Sequence, residues 1–205
     1  FVGDLLVGGQ DAARVLSRML EWSQQFQVRI CESNNDRYLR AWCKESSLGP
    51  SEFESVTRPQ LATDQTLRLA ADKLLAAMKE AVLLSWQGRR VLISHAGLPT
   101  IPEIDRLSFI PSYQLIQGIG DQNSDIDGQF AMHAAADMLQ FHGYRKAIDR
   151  PTGLTANSFN LRDPDDTTLR VAVLEQDGSM VMHKLKTRDQ ITSFVSECPS
   201  PPMER

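Results

Sequence analysis

The chain has 205 residues, 41% hydrophobic and 23% charged, which is the composition of a globular domain large enough for a real core. Its net charge of −4 argues against a general nucleic-acid binder, a class that is usually basic. No apolar run reaches the roughly 18 residues of a membrane span, and Cys31, Cys43 and Cys198 form no CxxC pair, which argues against a disulfide framework or structural zinc and for a reducing, cytoplasmic compartment.

Val2 to Asp4 reads as the end of a buried strand, followed by a Gly8-Gly9 loop. Asp11 opens a helix with Val15, Leu16, Met19 and Leu20 on one face. Val28 to Cys31 reads as a short strand running into the polar turn Ser33-Asn34-Asn35-Asp36, and Tyr38, Leu39 and Trp42 as a short helix. Ser46 to Thr63, rich in Ser and Pro, is expected to be irregular. Leu67, Ala70, Ala71, Leu74, Leu75, Met78 and Val82 recur at the helical period, so a long helix is expected over Asp64 to Trp86, stopped by Gly88.

Val91 to Ser94 is a buried strand leading directly into His95-Ala96-Gly97. Leu98 to Asp125 is expected to be mostly loop, Asp127 to Ala136 helical, and Met138 to Phe141 a strand ending at His142-Gly143. Leu169 to Leu174 and Met180 to Leu185 flank Asp177-Gly178, a hairpin signal. A short helix is expected at Asp189 to Val195, and Pro199, Pro201 and Pro202 mark a tail or linker over 199–205 after a single domain spanning 1–198.

Asp4, Asn34, His95 and His142 each follow an apolar strand, and in open α/β sheets ligands gather at the carboxyl ends of strands. Carboxylate, amide and imidazole together suit one divalent ion of Mn, Fe or Zn. Singly, each residue has an ordinary reading as a helix cap or a hydrogen-bonded histidine.

The ordered blocks resemble those of the calcineurin-like metallophosphoesterases, closest to the branch of bacterial polynucleotide-kinase-associated phosphatases and symmetrical diadenosine-tetraphosphatase-like enzymes. Phe1-Val2-Gly3-Asp4-Leu5 resembles the Gly-Asp block. Ser33-Asn34-Asn35-Asp36 falls where the family has Gly-Asn-His-Asp or Gly-Asn-His-Glu, and Ser94-His95-Ala96-Gly97 resembles its Ser-His-(Ala/Gly)-Gly block. His142-Gly143-Tyr144-Arg145 falls on the closing His-Gly-His-Arg block. Phe159-Asn160-Leu161 and the Asp177-Gly178 hairpin fit a second sheet. The resemblance implies an α/β (α+β) fold with a two-layered β core flanked by helices. In that family two metals about 3.5–4 Å apart clamp an in-line attack on phosphorus. It also implies that Asp4 bridges two ions and that Asn34, His95 and His142 complete one metal site.

Set against that pattern, the chain has lost chemistry. The family's first Asp-x-His block and its strand are expected upstream of Phe1, so the chain reads as a piece of a longer polypeptide. Asn35 stands at the position of the catalytic His, and an amide cannot exchange protons near neutral pH. Tyr144 replaces a ligating His with a phenol. Val7-Gly8 replaces the Asp-Arg whose guanidinium grips phosphate. Arg37, Arg40 and Lys44 after one loop, and Arg145, Lys146 and Arg150 after another, are candidates for a retained anion-binding mouth, with Arg37 and Arg145 nearest the motifs.

Three functions follow from these readings. One is a non-catalytic binding or structural module within a larger polypeptide or assembly. Another is an active phosphohydrolase on phosphomonoesters, nucleotides or polynucleotide ends. The last is a single-metal domain that holds a phosphorylated ligand.

Overall fold

The computed structural model describes residues 1–101, 108–145, 157–162, 168–186 and 191–195. The chain forms two compact units, Phe1–Glu80 and Ala81–Arg205. The expected tail at 199–205 lies outside the described residues. Among the described residues no helix is long and apolar enough to cross a membrane.

The first unit is helical. Helix α1 (Ala12–Gln25) starts at Asp11, whose side chain accepts from the Arg14 amide, and buries Ala12, Leu16 and Met19 on one face. Helix α2 (Asp36–Cys43) buries Leu39 and Trp42. The stretch expected to be irregular contains a π-helical turn, Phe53–Thr57, continuing into α3 (Arg58–Leu61). Phe53 and Leu61 anchor it in the core shared with Leu16, Trp42 and Leu74. Helix α4 (Thr66–Ala77) ends where Met78 turns extended at ψ 151°.

The two strands expected in this unit reduce to isolated pairing. The Cys31 amide donates to the Phe1 carbonyl at 2.9 Å, and Cys31 bridges Lys79 in parallel. No ladder extends from Phe1 because the chain bends at once: Gly3 and Asp4 have φ of +99° and +53°.

The second unit carries both sheets. Strands β1 (Ala81–Trp86) and β2 (Arg89–Ser94) form an antiparallel hairpin with Trp86 opposite Arg89. The sequence reading runs one helix through this segment; instead it breaks at Met78 and returns as a strand. The turn between β1 and β2 is Gln87-Gly88, both with positive φ (50° and 73°), the geometry whose twist matches a tight hairpin.

Helix α5 (Ser112–Ile116) interrupts the expected loop, and α6 (Ile126–His133) falls where a helix is expected. Strand β3 (Met138–His142), buried throughout, pairs in parallel with β2, and β4 (Ser158–Asn160) pairs in parallel with β3. The result is a mixed four-stranded sheet in the order β1-β2-β3-β4.

Strands β5 (Thr168–Leu174), β6 (Met180–Lys186) and β7 (Ile191–Val195) form a separate antiparallel sheet. The predicted Asp177-Gly178 hairpin joins β5 to β6. Two expectations are corrected here. Ile191–Val195 is a strand, not a helix, as its Ile, Thr and Val content favours. Phe159 belongs to the first sheet, in register with Phe141, rather than to the second.

Val91, Leu139 and Phe141 from the first sheet share a core with Met180 and Met182 from the second. The chain is therefore of the α/β class, and its second unit stacks two β layers. The opposite face of the first sheet packs Leu92 against Leu98 and Leu115. Strand alternation sends Leu139 and Phe141 one way and Gln140 and His142 the other.

Candidate functional site

In the first unit, Asp4 is exposed and adopts a left-handed backbone, φ 53°. The Asn35 side-chain amide donates to Asp4 Oδ1 at 3.0 Å, so the residue at the position of the expected catalytic His hydrogen-bonds to the expected bridging carboxylate. Asn34 is half-buried beside it.

The Ser33 amide and hydroxyl donate to Asp36 Oδ2 at 2.7 and 2.8 Å. Burial pushes the Asp36 carboxyl up to about 6, against those two hydrogen bonds and with help from Asp4 and Glu32. Arg37 is exposed and folds onto its neighbour, with its guanidinium 4.9 Å from the Tyr38 ring centre. Arg40 pairs with Glu32 at 2.9 Å.

The second unit holds His95, His142, Tyr144 and Arg145. His95 follows β2 and His142 ends β3, so the parallel pairing of these strands sets the two residues at neighbouring carboxyl ends. Both are buried, at 1% and 0% exposure. The His95 carbonyl accepts from the Gly143 and Tyr144 amides, each at 3.0 Å. The Tyr144 ring lies 5.2 Å from the His95 ring, tilted by 51°.

Glycine is required at 97. A β-carbon there would lie 2.8 Å from His142 Cγ, and φ is +69°.

His142 is held from α6. Its Nε2 lies 2.8 Å from Asp127 Oδ1, which also accepts from the Ser158 hydroxyl at 2.5 Å. Ser158 is reached because β4 pairs it with Gln140, whose side-chain amide donates to the Ser158 hydroxyl at 2.9 Å. Gln140 also accepts from the Leu98 amide and donates to the Leu98 carbonyl, at 2.8 and 3.1 Å. Burial alone would raise the Asp127 carboxyl. The hydrogen bonds from His142 and Ser158, with the nearby charge of Arg145, hold it below its ordinary value. Among the described residues, His142 Nδ1 is buried and has no hydrogen-bond partner.

Arg145, expected to bind phosphate, is 2% exposed and its donors face the protein. Nε donates to the Ala96 carbonyl and Nη2 to that of Ile119, both at 3.0 Å, and Nη1 donates to that of Asp121. Burial lowers its pKa against the favourable charges of Tyr144, Asp121 and Asp127. The guanidinium ties the loop after β2 to the loop before α6. Lys146 and Arg150, the rest of that expected basic group, lie outside the described residues.

A divalent ion fits one feature of this unit, the orphaned buried Nδ1 of His142, since a lone pair without a hydrogen-bond donor is what a metal accepts. Among the described residues, neither unit gathers three or more His, Cys, Asp or Glu side chains able to hold an ion. Sequence reasoning missed Asp127, Ser158 and Gln140. Alternation along β3 could have placed Gln140 on the His142 face, but Asp127 looked like an ordinary residue of a helix start.

Compared with known proteins, the chain matches no family model and no curated protein.

Proposed function

We propose that the chain is a metallophosphoesterase-like domain of calcineurin type that has lost catalysis and serves as a binding or structural module within a larger polypeptide or assembly. The observation that carries this reading is Asn35. It occupies the position of the proton-transferring His and uses its amide as a donor to Asp4. General acid–base catalysis is worth about 10²–10⁴-fold, and an amide supplies none of it. Two features point the same way. Tyr144, where a second ligating imidazole is expected, packs its ring against His95. Arg145 gives its donors to carbonyls rather than leaving them for an anion.

His95 and His142 are the residues best suited to retain an ion. Imidazole selects Mn, Fe or Zn over the hard alkaline-earth ions, and such an ion would supply Lewis acidity or a docking point for a phosphorylated ligand. At most one ion binds, and weakly, because neutral imidazoles bring no negative charge to hold it.

Equilibrium dialysis against Mn²⁺ and Zn²⁺ with elemental analysis tests this. The proposal expects at most one weakly held ion per chain, lost in His95→Ala where one binds, and no ion at all if the role is purely structural. Two tight ions per chain would favour the alternative, a working phosphohydrolase.

A further inference from the structure

We propose that the outer edge of β1 pairs with β1 of a second copy of this chain, antiparallel about Leu83, so that two four-stranded sheets run on as one.

The hairpin turn decides which backbone groups face that edge. Gln87-Gly88, both at positive φ, closes a two-residue hairpin, and in such a hairpin the flanking residues exchange both backbone hydrogen bonds. Trp86 and Arg89 are that pair, and alternation makes Leu84 with Val91 and Val82 with Ile93 the next two. Ala81, Leu83 and Ser85 then aim their N–H and C=O groups away from β2. β1 is the outermost strand of its sheet, and among the described residues no backbone group meets these three on that side.

Native proteins blunt such an edge with a charge, a proline or a bulge. From Ala81 to Trp86 the strand carries no charged residue and no proline, and its register with β2 runs unbroken through all six positions. One face of β1 is committed, since Leu84 and Trp86 pack on the core shared with the second sheet. On the other face Leu83 is 39% exposed and Ser85 is exposed.

Open backbone groups call for an extended strand, and the side chains choose which one. With one protruding leucine and no charge, this edge has little with which to select a foreign sequence, but it is complementary to itself. A two-fold axis at Leu83 sets it against the partner's Leu83 and sets Ala81 against the partner's Ser85, with no like charges opposed. The pairing makes about six backbone hydrogen bonds. A single strand pair buries less than a standard interface, so the association is weak and depends on concentration.

Sedimentation velocity and residue-resolved hydrogen exchange on the full chain test this. From about 20 µM to about 1 mM, sedimentation should move from monomer toward dimer. Over the same range the Leu83 and Ser85 amides should gain at least about fivefold protection, while Val82 and Leu84, bonded within the hairpin, stay unchanged. Leu83→Lys opposes two like charges at the axis and should weaken association at least about tenfold. Leu83→Pro removes an outward donor without touching the β1–β2 ladder and should do the same. Should the proline variant fail to fold, the lysine variant alone decides. A chain that stays monomeric at the highest concentration overturns the inference. So does a dimer whose affinity the folded variants leave within about twofold. A Leu83 amide already protected in the dilute monomer overturns it as well, because the covering strand then lies within the chain itself.

Discussion

Replacing Arg145 with methionine should loosen the second unit without touching its hydrophobic core. The side chain is almost fully enclosed and donates to the carbonyls of Ala96, Ile119 and Asp121. Ala96 is itself fully buried, so its carbonyl has no water to turn to. A hydrogen bond from a charged donor is worth about 1.5–3 kcal/mol, so that loss alone costs ~2 kcal/mol. Ile119 and Asp121 are exposed, and their carbonyls recover most of their loss by hydration, adding ~0.5 kcal/mol each.

The total, about 3 kcal/mol, corresponds to roughly 100-fold faster opening. Hydrogen exchange read by mass spectrometry over peptides covering Leu92–Leu98 and Leu139–Arg145 should show that acceleration. Peptides from α1 and α4 should be unchanged. Arg145→Lys should recover only part of the effect, because one ammonium cannot reach three carbonyls as a planar fork does. An acceleration below about threefold in Arg145→Met would refute the clamp and return Arg145 to the list of candidate anion binders.

Gly8→Arg, which restores a residue type expected from the resemblance, should destabilise the first unit by about 1–2 kcal/mol in urea unfolding, because Gly8 sits at φ +76°. Gln140→Leu should cost about 2–4 kcal/mol by the same measurement, since it strands both the amide and the carbonyl of buried Leu98. Burial, with Asp72 adding, pushes the Cys43 thiol up to about 11. Its alkylation by iodoacetamide near pH 8 should be at least tenfold slower than that of an exposed cysteine, and should climb as pH rises toward ~11.

The elements that the sequence disclosed best are those whose signals are local. Asp11 before an apolar 3.6-residue pattern gave α1, and Asp177-Gly178 between apolar runs gave the β5–β6 hairpin. Strands β2 and β3 read clearly because their apolar runs end in polar residues.

The misread segments are those where two periods agree over a short span. Leu75, Met78 and Val82 continue the helical spacing of α4, yet Val82 belongs to β1. The deciding feature, two left-handed residues at Gln87-Gly88, is visible in sequence only as a glycine. Ile191–Val195 failed for a related reason, because five residues carry too little pattern to separate helix from strand.

The site was legible in part. The ligand-type residues after β2 and β3 stood out because of where they fall. What surrounds His142 did not, because Asp127, Gln140 and Ser158 reach it through the α6 position and the β3–β4 register, and neither leaves a mark in linear spacing.

The central claim, a phosphoesterase-like domain without catalysis, is tested most directly by turnover. The chain should be assayed on p-nitrophenyl phosphate and a nucleoside monophosphate with saturating Mn²⁺, beside Asp4→Ala. The account predicts no hydrolysis above buffer that Asp4→Ala removes. Turnover in the ordinary enzyme range of about 1–10³ per second, abolished by Asp4→Ala, would contradict it.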